Sequence, residues 1–310
     1  MEAHTPYQHE ALLYQGTADF LHHAVPFIRD GLEAGEPVLV VTAQTRIGAL
    51  RAELGGDAAQ VEFADMARAG SNPARIIPLW RDFIDRERTN GRRLRGIGEP
   101  IWAERSPAEL AECQLHESLL NLAIDPATPM WLLCPYDASA LDHDVIEEAY
   151  RSHPMVTEGD HTRESGAFRG RGGSVAPFTT PLPAPPPGTR RFAFGPGDLA
   201  TVRGMVAAFA AQAGLDPRRN DELVAAAHEV ATNSVRHGGG RGELRWWRDD
   251  RSVICDFADG GRIHDPLVGR ERPLTGSAGG RGLWLANQMC DLVQIRTMPT
   301  GTVVRVHKKL

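Results

Sequence analysis

Long hydrophobic runs are missing from this chain of 310 residues. The longest, residues 37–43, is typical of a buried strand and falls far short of the roughly 20 apolar residues that cross a bilayer. The N-terminus has no basic region followed by an apolar stretch, so the sequence predicts no signal peptide. Both absences favour a cytoplasmic protein without a membrane partner.

Cysteine is scarce, and the four cysteines form no C-x-x-C pair. A chain of this size builds hydrophobic cores that make disulfides unnecessary, so we expect four reduced thiols. Five histidines do not have the paired spacing that is typical of metal ligands, so we assign them no function. They are His22, His23, His116, His143 and His153.

An excess of positive charge is also absent. Thirty-four basic and 40 acidic residues leave a net charge of −6, with a pI near 6.1. This balance argues against a nucleic-acid partner. The hydrophobic and charged fractions, 42% and 24%, are those of an ordinary globular protein. A length of 310 residues predicts two domains at about 150 residues each.

Glycine and proline are concentrated in residues 165–190, which contain no acidic residue and show no periodicity. We interpret this segment as a linker, flexible at its glycine end and stiffer around the proline run at 185–187. It separates a domain over 1–164 from a domain over 191–310. Its arginines are Arg169, Arg171 and Arg190, and we expect them to be solvated rather than to form a docking site.

Before the linker, short apolar runs alternate with segments of helical spacing. Strands are predicted at 12–15, 38–42, 61–64, 94–97 and 131–134, and helices at 19–34, 75–88 and 107–123. Alternation of strand and helix predicts an α/β domain with a mostly parallel sheet. Ser106 followed by Pro107 is a typical helix start.

After the linker, the elements are grouped differently. Helices are predicted at 198–213, 217–237 and 282–291, and hairpins at 242–248 with 252–258 and at 293–296 with 302–307. Grouped helices with antiparallel strands predict an α+β domain of two layers.

The helix at 217–237 carries Glu229 and Asn233, which are four residues apart and therefore share one face. An amide oxygen beside a nucleotide can ligate Mg²⁺, and a carboxylate can orient or deprotonate an attacking hydroxyl. Alone, this spacing equally fits a solvated helix face.

Two glycine-containing motifs follow that helix. Asp259-Gly260-Gly261 ends a predicted strand, where the acid can accept a hydrogen bond from a base and the glycines allow close approach. The run 279–282 opens a helix and can present backbone N–H groups to phosphate. Taken singly, these are an Asp-Gly turn and a glycine-rich loop. No Walker A motif occurs in the chain.

In the order and placement of these motifs, residues 190–310 resemble the GHKL ATP-binding fold (Bergerat type), shared by histidine kinases, gyrase and anti-sigma serine kinases. Within that group they are most similar to the small RsbW-type kinases. The resemblance implies ATP and Mg²⁺ as cofactors, Glu229 as the catalytic carboxylate and Asn233 as the magnesium ligand. It implies an ATP lid over 262–278. The nucleotide-binding positions that it implies are Asn233, Asp259, Gly261, Gly280, Arg281, Gly282 and Thr302.

Two features leave alternatives open. The adenine motif has Arg262 where the family pattern has its second glycine, which favours a switch that binds nucleotide without catalysis. His228-Glu229 superficially resembles the phosphoacceptor of a histidine kinase. That reading requires a dimerisation helix pair upstream, where the proline-rich linker lies instead, so a structural histidine is preferred.

The first domain carries fewer chemical signals. Gly98-Glu99-Pro100, Trp102, His9, Tyr14 and the run 135–137 add polar groups expected at the carboxyl edge of the sheet, where open parallel sheets bind ligands. The pattern over 8–160 resembles the MEDS sensory domain, which implies sensing but not the ligand. Glu99, Trp102 and Tyr14 are the candidate residues for this sensing. Glu99 and Trp102 equally fit a buried salt-bridging acid and a core aromatic residue.

Together the two resemblances indicate a sensor-fused anti-sigma regulator of the RsbA type, acting in signal transduction and stress-response transcription. It would phosphorylate a serine or threonine of a STAS-type anti-anti-sigma partner and, in the alternate state, hold a sigma factor. A homodimer is implied by resemblance.

Overall fold

The computed structural model describes residues 6–88, 91–173, 175, 179–273 and 280–310. They divide into two compact units, with the boundary after Val175. None of the helices in these ranges is long and apolar enough to cross a membrane.

The first unit is an α/β fold built on a seven-stranded sheet with the order β3-β2-β4-β5-β1-β6-β7. Every pair of neighbouring strands is parallel except β6 with β7, which confirms the predicted mostly parallel sheet. Its strands are β1 (Gln8–Tyr14), β2 (Val38–Thr42), β3 (Glu62–Asp65), β4 (Leu94–Gly98), β5 (Met130–Asp137), β6 (Met155–Glu158) and β7 (His161–Glu164). Its helices are α1 (Gly16–Glu33), α2 (Gln44–Leu54), α3 (Met66–Ala69), α4 (Ile76–Glu87), α5 (Pro107–Ala123), α6 (His143–Ser152) and α7 (Gly170–Gly173).

Helix α5 begins where the sequence predicts, because Ser106 and Glu109 form a capping box. The Glu109 N–H donates to Ser106 Oγ at 3.3 Å, and the Ser106 N–H donates to Glu109 Oε2 at 2.9 Å. Each bond satisfies a backbone donor that a helix start leaves without an intrahelical partner.

The glycine-rich part of the segment 165–190 packs on the first unit. Ser165 Oγ donates to the Tyr150 carbonyl at 2.5 Å, and the Arg169 guanidinium contacts both carboxylate oxygens of Glu148, at 2.5 and 2.9 Å. The expectation that Arg169 is solvated is therefore wrong, because a bidentate pair with a largely buried carboxylate holds it in place.

The second unit is an antiparallel five-stranded sheet with the order β11-β12-β10-β9-β8, and its helices pack against one another and against β10 and β12. This is the predicted two-layer α+β fold. Its strands are β8 (Arg190–Phe194), β9 (Gly242–Arg248), β10 (Ser252–Asp259), β11 (Leu292–Met298) and β12 (Gly301–Lys309). Its helices are α8 (Leu199–Gln212), α9 (Pro217–His237) and α10 (Arg281–Met289).

Helix α9 has the predicted bounds. The Asp216 carboxylate caps it by accepting from the Arg219 N–H at 3.1 Å, and Pro217 occupies the first turn. The buried residues of α9 form a stripe: Leu223, Ala226, Ala227, Val230, Ala231 and Ser234.

The four cysteines are buried free thiols, as predicted. On β10, alternation places Asp256 on the sheet face opposite Cys255. The fully buried Asp256 carboxylate accepts from Arg245 at 2.8 Å and from Arg305 at 2.7 Å, so both of its oxygens are paired. Arg305 also donates to the Pro183 carbonyl at 2.9 Å, which holds the proline-rich segment on this unit.

Candidate functional site

The helix α9 and the start of α10 bring the predicted catalytic and magnesium-binding residues together. Gly282 is buried in the first turn of α10, and a Cβ at that position would lie 2.9 Å from both Asn233 Nδ2 and Glu229 Oε2. The two side chains therefore meet the backbone of Gly282 directly. An amide, a carboxylate and a helix N-terminus, which carries a partial positive charge, share one small volume.

The N-terminus of α10 itself requires glycine. Gly280 is the N-cap residue, with a φ of +83°, a conformation that residues with a side chain rarely adopt. The next residue, Arg281, is exposed. Residue 279, the first glycine of the predicted phosphate loop, lies outside the described residues.

Asp259 lies at the end of β10 within a group of glycines. The Gly261 N–H donates to Asp259 Oδ1 at 2.8 Å, and a Cβ on Gly238 would lie 2.4 Å from the Asp259 carboxyl carbon. At Gly301 the φ is +139°, and a Cβ there would lie 2.0 Å from the Asp259 carbonyl oxygen. These close approaches hold Asp259 beside Gly238, the residue that directly follows α9.

Thr302 lies beside this carboxylate because it pairs with Asp259 across β10 and β12. Its hydroxyl donates to the Gly261 carbonyl at 2.9 Å and lies 3.1 Å from the hydroxyl of Thr297. Thr302, Asp259 and Gly261 therefore form one contiguous group, and their role in an adenine pocket stays a prediction.

Arg262, the departure from the family motif, is exposed, and its guanidinium donates to the Pro299 carbonyl at 2.8 Å. The side chain is thus bonded to the turn between β11 and β12. In the predicted lid, residues 262–273 are described and 274–278 lie outside the described part. The described part is attached to α10, since Asn287 Nδ2 donates to the Gly269 carbonyl at 2.8 Å.

His228 contacts α8 rather than the Gly282 site. Arg203 Nη1 lies 3.2 Å from His228 Nδ1, and because a guanidinium can only donate, this nitrogen accepts. This hydrogen bond links the two helices α8 and α9. This placement supports the structural reading of His228.

In the first unit, five side chains meet at the carboxyl edge of the sheet, and we call them the Glu99 cluster: Tyr14, Thr42, Arg46, Glu99 and Asp137. Tyr14 OH donates to Glu99 Oε1 at 2.7 Å, and Thr42 Oγ1 donates to Glu99 Oε2. Arg46 Nε lies 2.9 Å from Glu99 Oε2, and another guanidinium nitrogen lies 3.7 Å from Asp137 Oδ2.

Burial raises the pKa of Glu99, and the Arg46 guanidinium offsets only part of that rise. Burial and the neighbouring Glu99 also raise the pKa of Tyr14, which keeps its hydroxyl a donor. A buried acid with a raised pKa, held by three polar partners at a sheet edge, is typical of a ligand site.

Trp102 and His9 make other contacts. The Trp102 ring stacks with the Arg105 guanidinium, 3.8 Å away, and Arg105 donates to the Gly70 carbonyl at 2.8 Å. His9 lies near the other end of β1 from Tyr14, so the expectation that it joins the carboxyl edge is wrong. Thr42 and Arg46, which the sequence did not single out, complete the Glu99 cluster. Thr42 ends the buried strand β2 and Arg46 lies in the first turn of the helix that follows it, and this position was the available signal.

We expect Arg46→Met to reduce the free energy of unfolding by about 1–3 kcal/mol, because the buried Glu99 loses its cationic partner. Without Arg46, the folded-state pKa of Glu99 rises further above its unfolded value. Protonation of Glu99 then stabilises the folded state. This contribution is fully present below the unfolded pKa of Glu99 and is lost as pH rises through the folded pKa. The deficit should therefore be smaller in mild acid than at neutral pH.

Urea unfolding of the full chain at several pH values measures this deficit. The matched control is Arg29→Met, because Arg29 pairs with Asp57 at a site where both side chains are 46% exposed. There the change should stay within about 1 kcal/mol. Equal losses at the two positions would contradict the assignment of a buried pair to Arg46.

The two units thus define a class of two-domain protein, in which an α/β module is followed by a two-layer α+β module. The second module carries a polar site at the N-terminus of α10. Comparison with known families gives the same division. Residues 8–154 match the model of the methanogen/methylotroph DcmR sensory domain, MEDS, and residues 192–308 match the histidine kinase-like ATPase domain. The chain therefore joins a MEDS domain to a histidine kinase-like ATPase domain of the GHKL type.

Among solved structures, the chain is similar to the RsbU and RsbW domains of Rv1364c from Mycobacterium tuberculosis, at 19% identity and a TM-score of 0.30. The match covers 39% of this chain and 33% of that one. No curated protein matches the sequence.

Proposed function

We propose that the second unit binds Mg-ATP and transfers the γ-phosphoryl group to a serine or threonine of a STAS-type anti-anti-sigma partner. The observation that carries the proposal is the contact of Gly282 with Glu229 and Asn233. It brings a carboxylate, an amide and a helix N-terminus to one point, and phosphoryl transfer depends mainly on positioning and charge stabilisation of this kind.

In this proposal, Asn233 Oδ1 would hold Mg²⁺, and the absence of a Cβ at Gly282 lets the backbone at the start of α10 lie close to the Asn233 amide. The ion would neutralise negative charge on the phosphate groups. Glu229 would orient and accept the proton of the acceptor hydroxyl. The N–H groups at 280–282, with Arg281, would bind phosphate, while Asp259, Gly261 and Thr302 would bind adenine.

The placement of Arg262 supports catalysis over a switch without chemistry. Its guanidinium is bonded to the Pro299 carbonyl, so the extra bulk relative to glycine is directed to the β11–β12 turn. The proposal extends to control of a sigma factor, which the RsbW-type resemblance implies, and to regulation by a signal at the Glu99 cluster. It also includes a cytoplasmic location and a homodimer.

Transfer of ³²P from ATP to a cognate STAS protein tests the proposal, with Asn233→Ala as the variant that removes the magnesium ligand. We expect acid-stable label on the partner with the wild type and a clear reduction with the variant. Full transfer by Asn233→Ala would contradict the metal role of Asn233.

Two other outcomes separate the alternatives. ATP binding by the wild type without any transfer would favour the nucleotide-gated switch. Acid-labile label on the chain itself, lost in His228→Ala, would indicate a histidine kinase. The contact of His228 with Arg203 argues against this last outcome.

A further inference from the structure

A second cluster of buried side chains lies in the first unit, on the opposite face of the sheet from the Glu99 cluster. We call it the His9 cluster: His9 on β1, Glu117 on α5, Cys134 on β5 and His153 directly after α6. Each of the four is at most 1% exposed. One nitrogen, sulfur or oxygen atom from each lies within 4.8 Å of those of the other three. His9 and Tyr14 are five positions apart on β1, so their side chains lie on opposite faces.

Three separations in the His9 cluster match the edges of a tetrahedron around a metal ion. His9 Nε2 lies 3.2 Å from Glu117 Oε2, His153 Nε2 lies 3.3 Å from the same oxygen, and Cys134 Sγ lies 3.5 Å from His9 Nε2. Zinc bonds to nitrogen, oxygen and sulfur place tetrahedral ligand atoms about 3.3 Å apart for N with O and about 3.6 Å apart for N with S.

The tautomer of His153 is fixed by its surroundings. Its Nδ1 lies 2.9 Å from the Ala149 carbonyl, and because a carbonyl only accepts, Nδ1 carries the proton. In the neutral ring, Nε2 then presents a lone pair toward the Glu117 carboxylate. No hydrogen bond to Nε2 is present among the described residues, although the atom is buried.

The same reasoning fixes His9. Asn121 Nδ2 donates to the Ser152 carbonyl at 2.8 Å, so the amide oxygen of Asn121 faces His9 and accepts from its Nδ1 at 3.1 Å. His9 Nε2 therefore presents a lone pair toward Glu117 and Cys134. Histidines that bind metals commonly hold the other ring nitrogen in this way.

Lone pairs from two imidazoles and a carboxylate thus converge in a volume without water access. A cation at the centre would remove the repulsion between these lone pairs. Protonating both rings would place two buried imidazolium groups with centroids 4.1 Å apart beside one carboxylate, which is costly. The second oxygen of Glu117, Oε1, is also buried without a hydrogen-bond partner in the described residues.

We propose that His9, Glu117, Cys134 and His153 bind a divalent transition-metal ion, and that the ion is Zn²⁺. Two neutral imidazoles, a thiolate and a carboxylate carry a charge of −2, which a divalent cation neutralises in the buried site. Nitrogen and sulfur ligands select zinc over magnesium or calcium. The ion would join two neighbouring strands to α5 and α6, so it stabilises the sensory unit, and this proposal stands independently of kinase activity.

Metal analysis of the untagged full chain, purified without chelator and dialysed after addition of Zn²⁺, tests the site. We expect about one zinc per chain. Cys134→Ser should lower the zinc content severalfold, whereas Cys113→Ser is the matched control, since Cys113 is equally buried but lies outside the His9 cluster. Thermal unfolding of the wild type should shift to lower temperature after zinc is removed.

Cobalt substitution gives a readout that does not depend on a folded Cys134 variant. With Co²⁺ alone, the wild type and Cys113→Ser should show the thiolate charge-transfer band and the intense visible bands of a four-coordinate ion. A wild type that retains little zinc and shows no such spectrum would overturn the proposal. So would a Cys134→Ser chain, folded by circular dichroism, whose zinc content and cobalt spectrum equal those of the wild type.

Discussion

Glu229→Gln is expected to lower the rate constant of phosphoryl transfer by about 10²- to 10⁴-fold, the range for loss of a general base. Glutamine keeps the size of the side chain and one oxygen beside Gly282, so the volume around the Gly282 backbone is preserved. It cannot accept the proton of the acceptor hydroxyl. Nucleotide affinity should therefore stay close to that of the wild type while transfer to the STAS partner is lost.

Single-turnover transfer measured beside equilibrium ATP binding separates these two effects. The matched control is Glu222→Gln on the same helix, where the carboxylate pairs with Lys308 and Arg218 instead of facing the Gly282 site. That variant should transfer phosphate at the wild-type rate. A Glu229→Gln chain that transfers normally would remove Glu229 from the chemistry and leave only a positioning role for the helix face.

Much of the second unit follows from local rules. Asp216 and Pro217 define where α9 begins, and the spacing of four between Glu229 and Asn233 places both on one face before any tertiary contact is known. The contact of Gly282 with these two residues does not follow from local rules. It depends on how α10 packs against α9, and the sequence predicted it only through the order of motifs in a resembling fold.

In the first unit, local sequence rules predict some residues of the Glu99 cluster and miss others. Glu99 and Tyr14 were predicted at the sheet edge because both follow or end buried strands. Arg46, the cationic partner of Glu99, comes from the helix after a different strand, so no spacing in the sequence joins the two. β7 was not predicted because all four of its residues are exposed, which removes the apolar alternation that marks a strand.

The His9 cluster is the extreme case of this limit. His9 is 108 residues from Glu117 and 125 from Cys134 along the chain. Spacing rules for metal ligands apply to pairs on one turn or one helix, so they leave His153 without a function. Only the parallel pairing of β1 with β5, under α5 and α6, brings the four side chains together.

Gly282→Ala is expected to reduce affinity for Mg-ATP by about 10- to 100-fold, because loss of a polar interaction with a charged group costs about 1.5–3 kcal/mol. The added Cβ would lie 2.9 Å from Asn233 Nδ2 and Glu229 Oε2, closer than a carbon tolerates. Both contacts are with the ends of side chains, which can rotate away without disturbing the backbone. The fold should therefore persist while the two functional groups leave their positions.

Isothermal titration with Mg-ATP measures the affinity, and thermal unfolding shows whether the fold persists. Gly204→Ala is the control, since Gly204 lies inside α8, where a Cβ would meet nothing within 4 Å. That change should leave affinity unaltered and raise stability by about 0.5–1 kcal/mol, the usual gain for alanine over glycine in a helix. Unchanged affinity in Gly282→Ala would mean that ATP binding does not depend on the junction of α9 and α10, and the assignment of Asn233 to the magnesium ion of the nucleotide would fall with it.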